Sequence, residues 1–163
     1  VLGTAITFET EPPSAVEFKK RILQTLRWTP WLVYERGGLI LGYAYASRHR
    51  ERAAYRWSLD VAVYLDQRYH RQGIGRALYS KLFDCVKVQG FFNAFAGIAL
   101  PNAPSIGLHE ALGFRSVGVY RRVGYKLGTW HDVGWWGLAL TALAGRPKEP
   151  TALPKSLSRL NWK

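Results

Sequence analysis

The stretch of this chain best suited to chemistry is YHRQGIGRALYSKL, residues 69–82. Gly73 and Gly75 stand between basic or amide side chains and an apolar run with helical spacing. The residues before it, WSLDVAVYLD, alternate as a strand does. A glycine loop that ends a strand and opens a helix leaves backbone N–H groups without helical partners, which makes it a ready site for phosphate. The same loop can also be no more than a turn, and alone it does not decide between the two. Thiol chemistry is the poorer candidate. Cys85, the one cysteine, falls on an apolar helical face near Leu82 and Val86, where it packs as a small hydrophobe. One cysteine rules out an internal disulfide and argues against a cysteine-based metal cage.

The elements that must position the loop can be read along the chain. SAVEFKKRILQTLR (14–27) opens with Ser14 and Glu17, a capping box before helical spacing. WLVYERGGLILGYAYAS (31–47) is two β-rich runs joined at Gly37-Gly38, the pattern of a hairpin. AYRWSLDVAVYLD (54–66) predicts a third strand, and the glycine loop follows it. The next helix keeps Ile74, Ala77, Leu78, Leu82, Cys85 and Val86 on one face to about Gln89. FFNAFAGIAL (91–100) predicts a strand. PNAPSIGLHEALGF (101–114) predicts a short helix, capped by Asn102 or Ser105 and stopped at Gly113. FRSVGVYRRVGYKL and DVGWWGLAL predict two more strands. This order is that of an α/β or α+β sheet layered with helices. Residues 1–144 read as one domain, and 145–163 as an extended tail. That tail holds three prolines and carries Arg146, Lys148, Lys155, Arg159 and Lys163 against Glu149.

The 163 residues carry a net charge of +12, a surplus that attracts nucleic acid, acidic lipid or a polyanionic cofactor. No apolar run is long enough to span a bilayer, and the N-terminus lacks the layout of a signal peptide. A cytoplasmic setting fits. The chain has no Met and opens on VLGTAITFE, which suggests that an N-terminal segment is missing.

HRQGIGRAL followed by NAPSIGLHEALGF resembles the two signature segments of the GNAT acetyltransferase superfamily: the pyrophosphate loop for acetyl-CoA and a cofactor-facing helix. FETEPPS, PWLVYE, GYAYAS, AAYRW, VYLDQRYHRQGIGRALY, LPNAPSIGLHEALGF and GTWHDVGWW, in that order, resemble the phosphinothricin N-acetyltransferase family over nearly all of residues 4–140. The family's first strand and first helix have no counterpart here. The resemblance implies a mixed central sheet flanked by helices, acetyl-CoA as cosubstrate, no metal and a homodimer. It places the pyrophosphate on the backbone of Arg71, Gln72, Gly73, Ile74, Gly75 and Arg76, with His70 departing from the usual Gln or Arg. It places the pantetheine arm on Asn102, Ser105 and the backbone of Val63 and Leu65.

Acetyl transfer to an amine requires an ammonium to lose a proton, a thioester carbonyl to be polarised and a thiolate to leave. No enzyme nucleophile is needed. The resemblance points to Asp60, where the family usually has Glu, as the base. It points to His109 as the group that protonates the leaving sulfur or assists deprotonation, and to Tyr64 as a wall of the acetyl channel. Arg50 and Arg52 match a basic pair suited to a carboxylate and a second oxo group, because guanidinium binds such groups through paired hydrogen bonds. Phe8, Tyr55 and His131 complete the implied acceptor pocket. The acceptor is then a glutamate-like amino acid: phosphinothricin, methionine sulfoximine or methionine sulfone. Each residue also has a plainer reading. Asp60 can bond within the sheet, His109 can be structural, Asn102 can only cap its helix, His131 can bind backbone, and the arginines can be a basic surface. Three rival readings are another amine or a peptide as acceptor, a basic nucleic-acid-binding module whose tail uses Trp162, and a relative that binds acetyl-CoA without turnover.

Overall fold

The capping box at Ser14 forms as the spacing predicts. In the computed structural model, which describes residues 1–142, 145–156 and 158, Ser14 Oγ accepts the Glu17 N–H and the Glu17 carboxylate accepts the Ser14 N–H. These bonds start α1, Ala15–Leu26. β1, Trp31–Arg36, and β2, Leu39–Arg48, pair antiparallel across a turn in which Gly37 and Gly38 both have positive φ, 60° and 77°. A two-residue turn of this hand matches the twist of the strands it joins. β3 spans Ser58–Leu65. It begins later than the alternation predicts, because Ala53–Tyr55 forms a single 3₁₀ turn. α2, Ile74–Gln89, then β4, Asn93–Ala99, and α3, Ala103–Ala111, follow. The hairpin of β5, Arg115–Lys126, and β6, Thr129–Ala139, leads to a short α4, Leu153–Ser156.

The six strands form one mixed sheet in the order β1-β2-β3-β4-β6-β5. α2 packs on β1, β2 and β3. Its residues Leu78, Tyr79, Leu82 and Val86 join Ala44, Ala46, Leu59, Val61 and Phe114 in the buried core. α1 sets Phe18 edge-on against Trp31 and Tyr43. The neighbours β2–β3 and β4–β6 are paired along nearly their whole lengths. The parallel join between β3 and β4 is different. Its ladder holds only Ser58, Leu59 and Asp60 against Asn93, Ala94 and Phe95. Beyond Asp60 the two strands part, and the sheet opens into a wedge.

The predicted extended tail is corrected over its described part. Leu153 is 6% exposed and Ser156 is fully buried. The Gln89 amide donates to the carbonyls of Trp28 and Thr151, and the Trp57 indole N–H donates to the Lys148 carbonyl. Arg56 pairs with Glu149. Residues 148–156 therefore pack onto the domain. Arg159, Trp162 and Lys163 lie outside the described residues. Among the described residues, no helix is long and apolar enough to cross a membrane.

Candidate active site

The wedge meets the glycine loop at the mouth of a cleft of about 1250 Å3. Val63, Tyr64 and Leu65 of β3 line it from one side, and Asn102 and Ser105 of α3 from the other; His70, Arg71 and Gly73–Arg76 line the loop end. Arg71 and Gly73 both take positive φ, 60° and 77°, turning the chain so that α2 begins at Ile74. No side chain caps this helix. The first N–H to find a partner is that of Ala77, bonded to the Gly73 carbonyl. The N–H groups of Ile74, Gly75 and Arg76 therefore lack helical acceptors, and the helix dipole adds positive potential there. Gly75 allows the close approach of α3, since a Cβ there would lie 3.0 Å from Leu108. Three side chains of the loop are otherwise occupied. Gln72 Oε1 accepts from Arg36, Arg76 donates to the Ala111 carbonyl, and the Ile74 side chain is buried in the core. What the loop offers a ligand is its backbone N–H groups together with His70 and Arg71, which line the cleft.

Asn102 Oδ1 accepts the Ser105 N–H at 3.2 Å, so it caps α3 and also lines the cleft. His109 does not reach the cleft. It is 3% exposed, with Nδ1–H donating to the Ser105 carbonyl at 2.7 Å and Nε2 accepting from the Tyr79 hydroxyl at 3.0 Å. Both ring nitrogens are committed inside the core. The ring joins α2 to α3. Burial pushes its pKa below the ordinary 6.5 and pushes that of Tyr79 up.

Asp60 lies on the sheet face opposite α2, the face that also carries Tyr64. Its Oδ1 stands 2.6 Å from His49 Nδ1. Burial raises the Asp60 pKa, while the bond from His49 and the charge of Arg50 pull against that rise. A second cavity of about 450 Å3 opens on the same face, walled by Phe8, Tyr64, Gly97, Tyr120 and Trp135. Tyr64, with Ile6 and Thr7, borders both cavities. Asp60 lines neither. It pairs with Phe95, two residues before Gly97, so it stands one pleat, roughly 7 Å, from the second cavity's floor.

The arginines separate. The Arg50 guanidinium lies 5.7 Å from the centre of the ring of Trp135, a wall of the second cavity, and donates to the His49 carbonyl; Arg50 itself lines neither cavity. Arg52 is the exposed cap of the 3₁₀ turn and lines neither cavity. Tyr55 is exposed and edge-on to His49 at 6.0 Å. Phe8 lies against the backbone of Gly124 and 6.2 Å from His131. His131 Nε2–H donates to the Lys126 carbonyl, the backbone reading. Lys126, 6% exposed, donates to the carbonyls of Val1 and Thr7 and so holds the segment that carries Phe8 over β5. Sequence reasoning passed over His49 and Trp135. Strand alternation runs on from Tyr43, Tyr45 and Ser47 to His49, which would have placed it on the face of Asp60.

The acetyltransferase (GNAT) domain family matches residues 1–135. The chain belongs to the GNAT acetyltransferases. Within that family it is 42% identical over 133 residues to the phosphinothricin N-acetyltransferase of Streptomyces viridochromogenes, covering 82% of this chain and 73% of that one. It is 36% identical over 111 residues to the L-methionine sulfoximine/L-methionine sulfone acetyltransferase of Salmonella typhimurium, covering 68% and 65%. The crystal structure of a GNAT superfamily phosphinothricin acetyltransferase from Sinorhizobium meliloti, in complex with acetyl-CoA, aligns with a TM-score of 0.77 at 34% identity, covering 92% of this chain and 81% of that one. The resemblance to phosphinothricin N-acetyltransferases is thus borne out, as is the mixed sheet with flanking helices. Among the described residues of this N-acetyltransferase, no cluster of three or more metal-ligating side chains occurs.

In this acetyltransferase the buried His109 has a pH signature of its own. Its native pKa lies below its unfolded value, so the unfolded chain takes up the proton first as pH falls. The stability tied to neutral His109 is complete above about pH 6.5 and is lost as pH falls toward the lowered native value. The melting temperature is expected to drop more steeply between pH 7 and 5 in the wild type than in His109→Phe, as read by calorimetry at both pH values.

Proposed function

We propose that this N-acetyltransferase uses acetyl-CoA and acts on the α-amino group of a small glutamate-like amino acid. The observation that carries the proposal is the end of the β3–β4 ladder at Asp60, with the free N–H groups of residues 74–76 at one end of the resulting cleft. Three outward N–H groups at a helix start suit a pyrophosphate. The edge of β3 beyond Asp60 is not paired to β4, which suits the amides of a pantetheine arm lying along Val63 and Leu65, with Asn102 and Ser105 opposite. The second cavity suits the acceptor: Arg50 supplies a cation for a carboxylate or oxo group, and Tyr64 stands between the acceptor and acetyl sides. Removal of the ammonium proton is centred on Asp60, whose carboxylate burial makes more basic. Phosphinothricin, methionine sulfoximine and methionine sulfone are the acceptors favoured by the relatives' names. The exposed Val117, Val119, Val123 and Tyr125 of β5 give a second copy an apolar surface, in keeping with a homodimer.

The test is thiol release from acetyl-CoA with phosphinothricin, methionine sulfoximine, methionine sulfone, glutamate, spermidine and a short peptide. Turnover is expected with the first three. Turnover confined to spermidine or the peptide would discard the acceptor reading and the role of Arg50.

A further inference from the structure

We propose that His49 and Asp60 form one proton-accepting unit, in which Asp60 holds the imidazole and His49 Nε2 receives the proton of the acceptor's ammonium. This rests on the acetyl-transfer reading above and names a residue that reading lacks. The 2.6 Å contact between His49 Nδ1 and Asp60 Oδ1 sets the tautomer. A carboxylate accepts, so Nδ1 carries the hydrogen, and the lone pair of the neutral ring is then on Nε2. The ring is held from three further elements. It stacks on Phe95 of β4 at 4.6 Å and stands edge-on to Tyr55 of the 3₁₀ turn at 6.0 Å and to Trp135 of β6 at 6.1 Å. The His49 side chain is only 14% exposed.

Nε2 has no hydrogen-bond partner among the described residues, yet it is not among the buried unpaired atoms, which are Gln89 Oε1 and Trp135 Nε1. It therefore opens to solvent. Trp135 walls the second cavity and also flanks the His49 ring, so the pair abuts the space proposed for the acceptor. Neither Asp60 nor His49 itself lines a cavity, and Trp135, which does, is the ring's link to the second one. The titratable and charged groups around His49 are Asp60 on β3, Tyr55 on the 3₁₀ turn and Arg50 beside it in the chain; Phe95 and Trp135 are neutral.

In the reaction, the ammonium gives one proton to Nε2. The freed nitrogen bonds to the thioester carbonyl carbon as the carbon–sulfur bond breaks and its electron pair leaves on sulfur. The second nitrogen proton ends on that sulfur, giving the free thiol, and Nε2 returns its own proton to solvent. A carboxylate that orients an imidazole for proton transfer is the logic of hydrolase triads, here without a nucleophile.

The test is thiol release by the wild type, His49→Ala, His49→Gln and Asp60→Glu, with protection by acetyl-CoA against heat as the check on folding. His49→Ala is expected to lose at least about 100-fold in kcat with an unchanged KM for acetyl-CoA, and added imidazole is expected to restore at least about 10-fold where acetate does not. Asp60→Glu is expected to lose activity too, because the added methylene displaces the ring. His49→Gln is expected to lose activity likewise, which serves if His49→Ala does not fold. A fully active His49→Ala or His49→Gln, a loss in His49→Ala that imidazole cannot restore, or a gain in Asp60→Glu would each overturn the proposal while leaving acetyl transfer standing. A wild type that releases no thiol with any acceptor overturns the acetyl-transfer reading, and this proposal falls with it.

Discussion

Asp60→Asn is expected to lower kcat by about 10²- to 10⁴-fold and to leave acetyl-CoA binding within about two-fold. The substitution keeps the size of the side chain and an oxygen for His49 Nδ1–H, but removes the negative charge. That charge matters whether the proton stops on the carboxylate or on the imidazole the carboxylate holds, because in both cases it stabilises the positive charge leaving the ammonium. The fall corresponds to about 3–5 kcal/mol of transition-state stabilisation. Cosubstrate affinity is spared because Asp60 does not line the large cleft. Steady-state thiol release, paired with calorimetric titration of acetyl-CoA, reads both halves. The pH profile adds a sign: burial raises the Asp60 pKa, so wild-type activity falls with decreasing pH above the ordinary carboxylate range. Turnover that survives in Asp60→Asn would remove Asp60 from proton removal.

Gly73→Val is expected to act on the other substrate. Gly73 has φ +77°, and a Cβ there meets nothing within 4 Å. Packing is therefore not the issue. A β-branched residue in the left-handed region costs about 1–2 kcal/mol, and the chain relieves that cost by turning its N–H groups away from where a pyrophosphate would lie. An added side chain also stands in the path of the phosphates. The KM for acetyl-CoA is expected to rise by about 10-fold or more, with a smaller change in kcat at saturation. An unchanged KM would show that the loop is only a turn, the plainer reading of YHRQGIGRALYSKL.

The sequence by itself determined what depends on neighbours along the chain. The Ser14/Glu17 capping box, the Gly37-Gly38 turn, the glycine loop before an apolar helical face and the Asn102 cap are all interactions within a few residues, and each formed as read. Family membership followed from the same local segments. Where local pattern and packing diverge, the pattern misled. AYRW alternates, yet Ala53–Tyr55 is a turn. The prolines after Gly145 suggest an extended tail, yet Leu153 and Ser156 are buried on the domain. Only the tertiary structure decided which side chains meet. His109 is withdrawn from the cleft by Tyr79, thirty residues away in the chain. His49 meets Asp60 because β2 and β3 pair in the register that sets Ser47 opposite Asp60. The β3–β4 ladder stops at Asp60, and β3 beyond it lines the cleft. Periodicity says which face a side chain takes, but strand register, sheet splay and competition for buried hydrogen bonds say what it meets there, and these are properties of the assembled sheet.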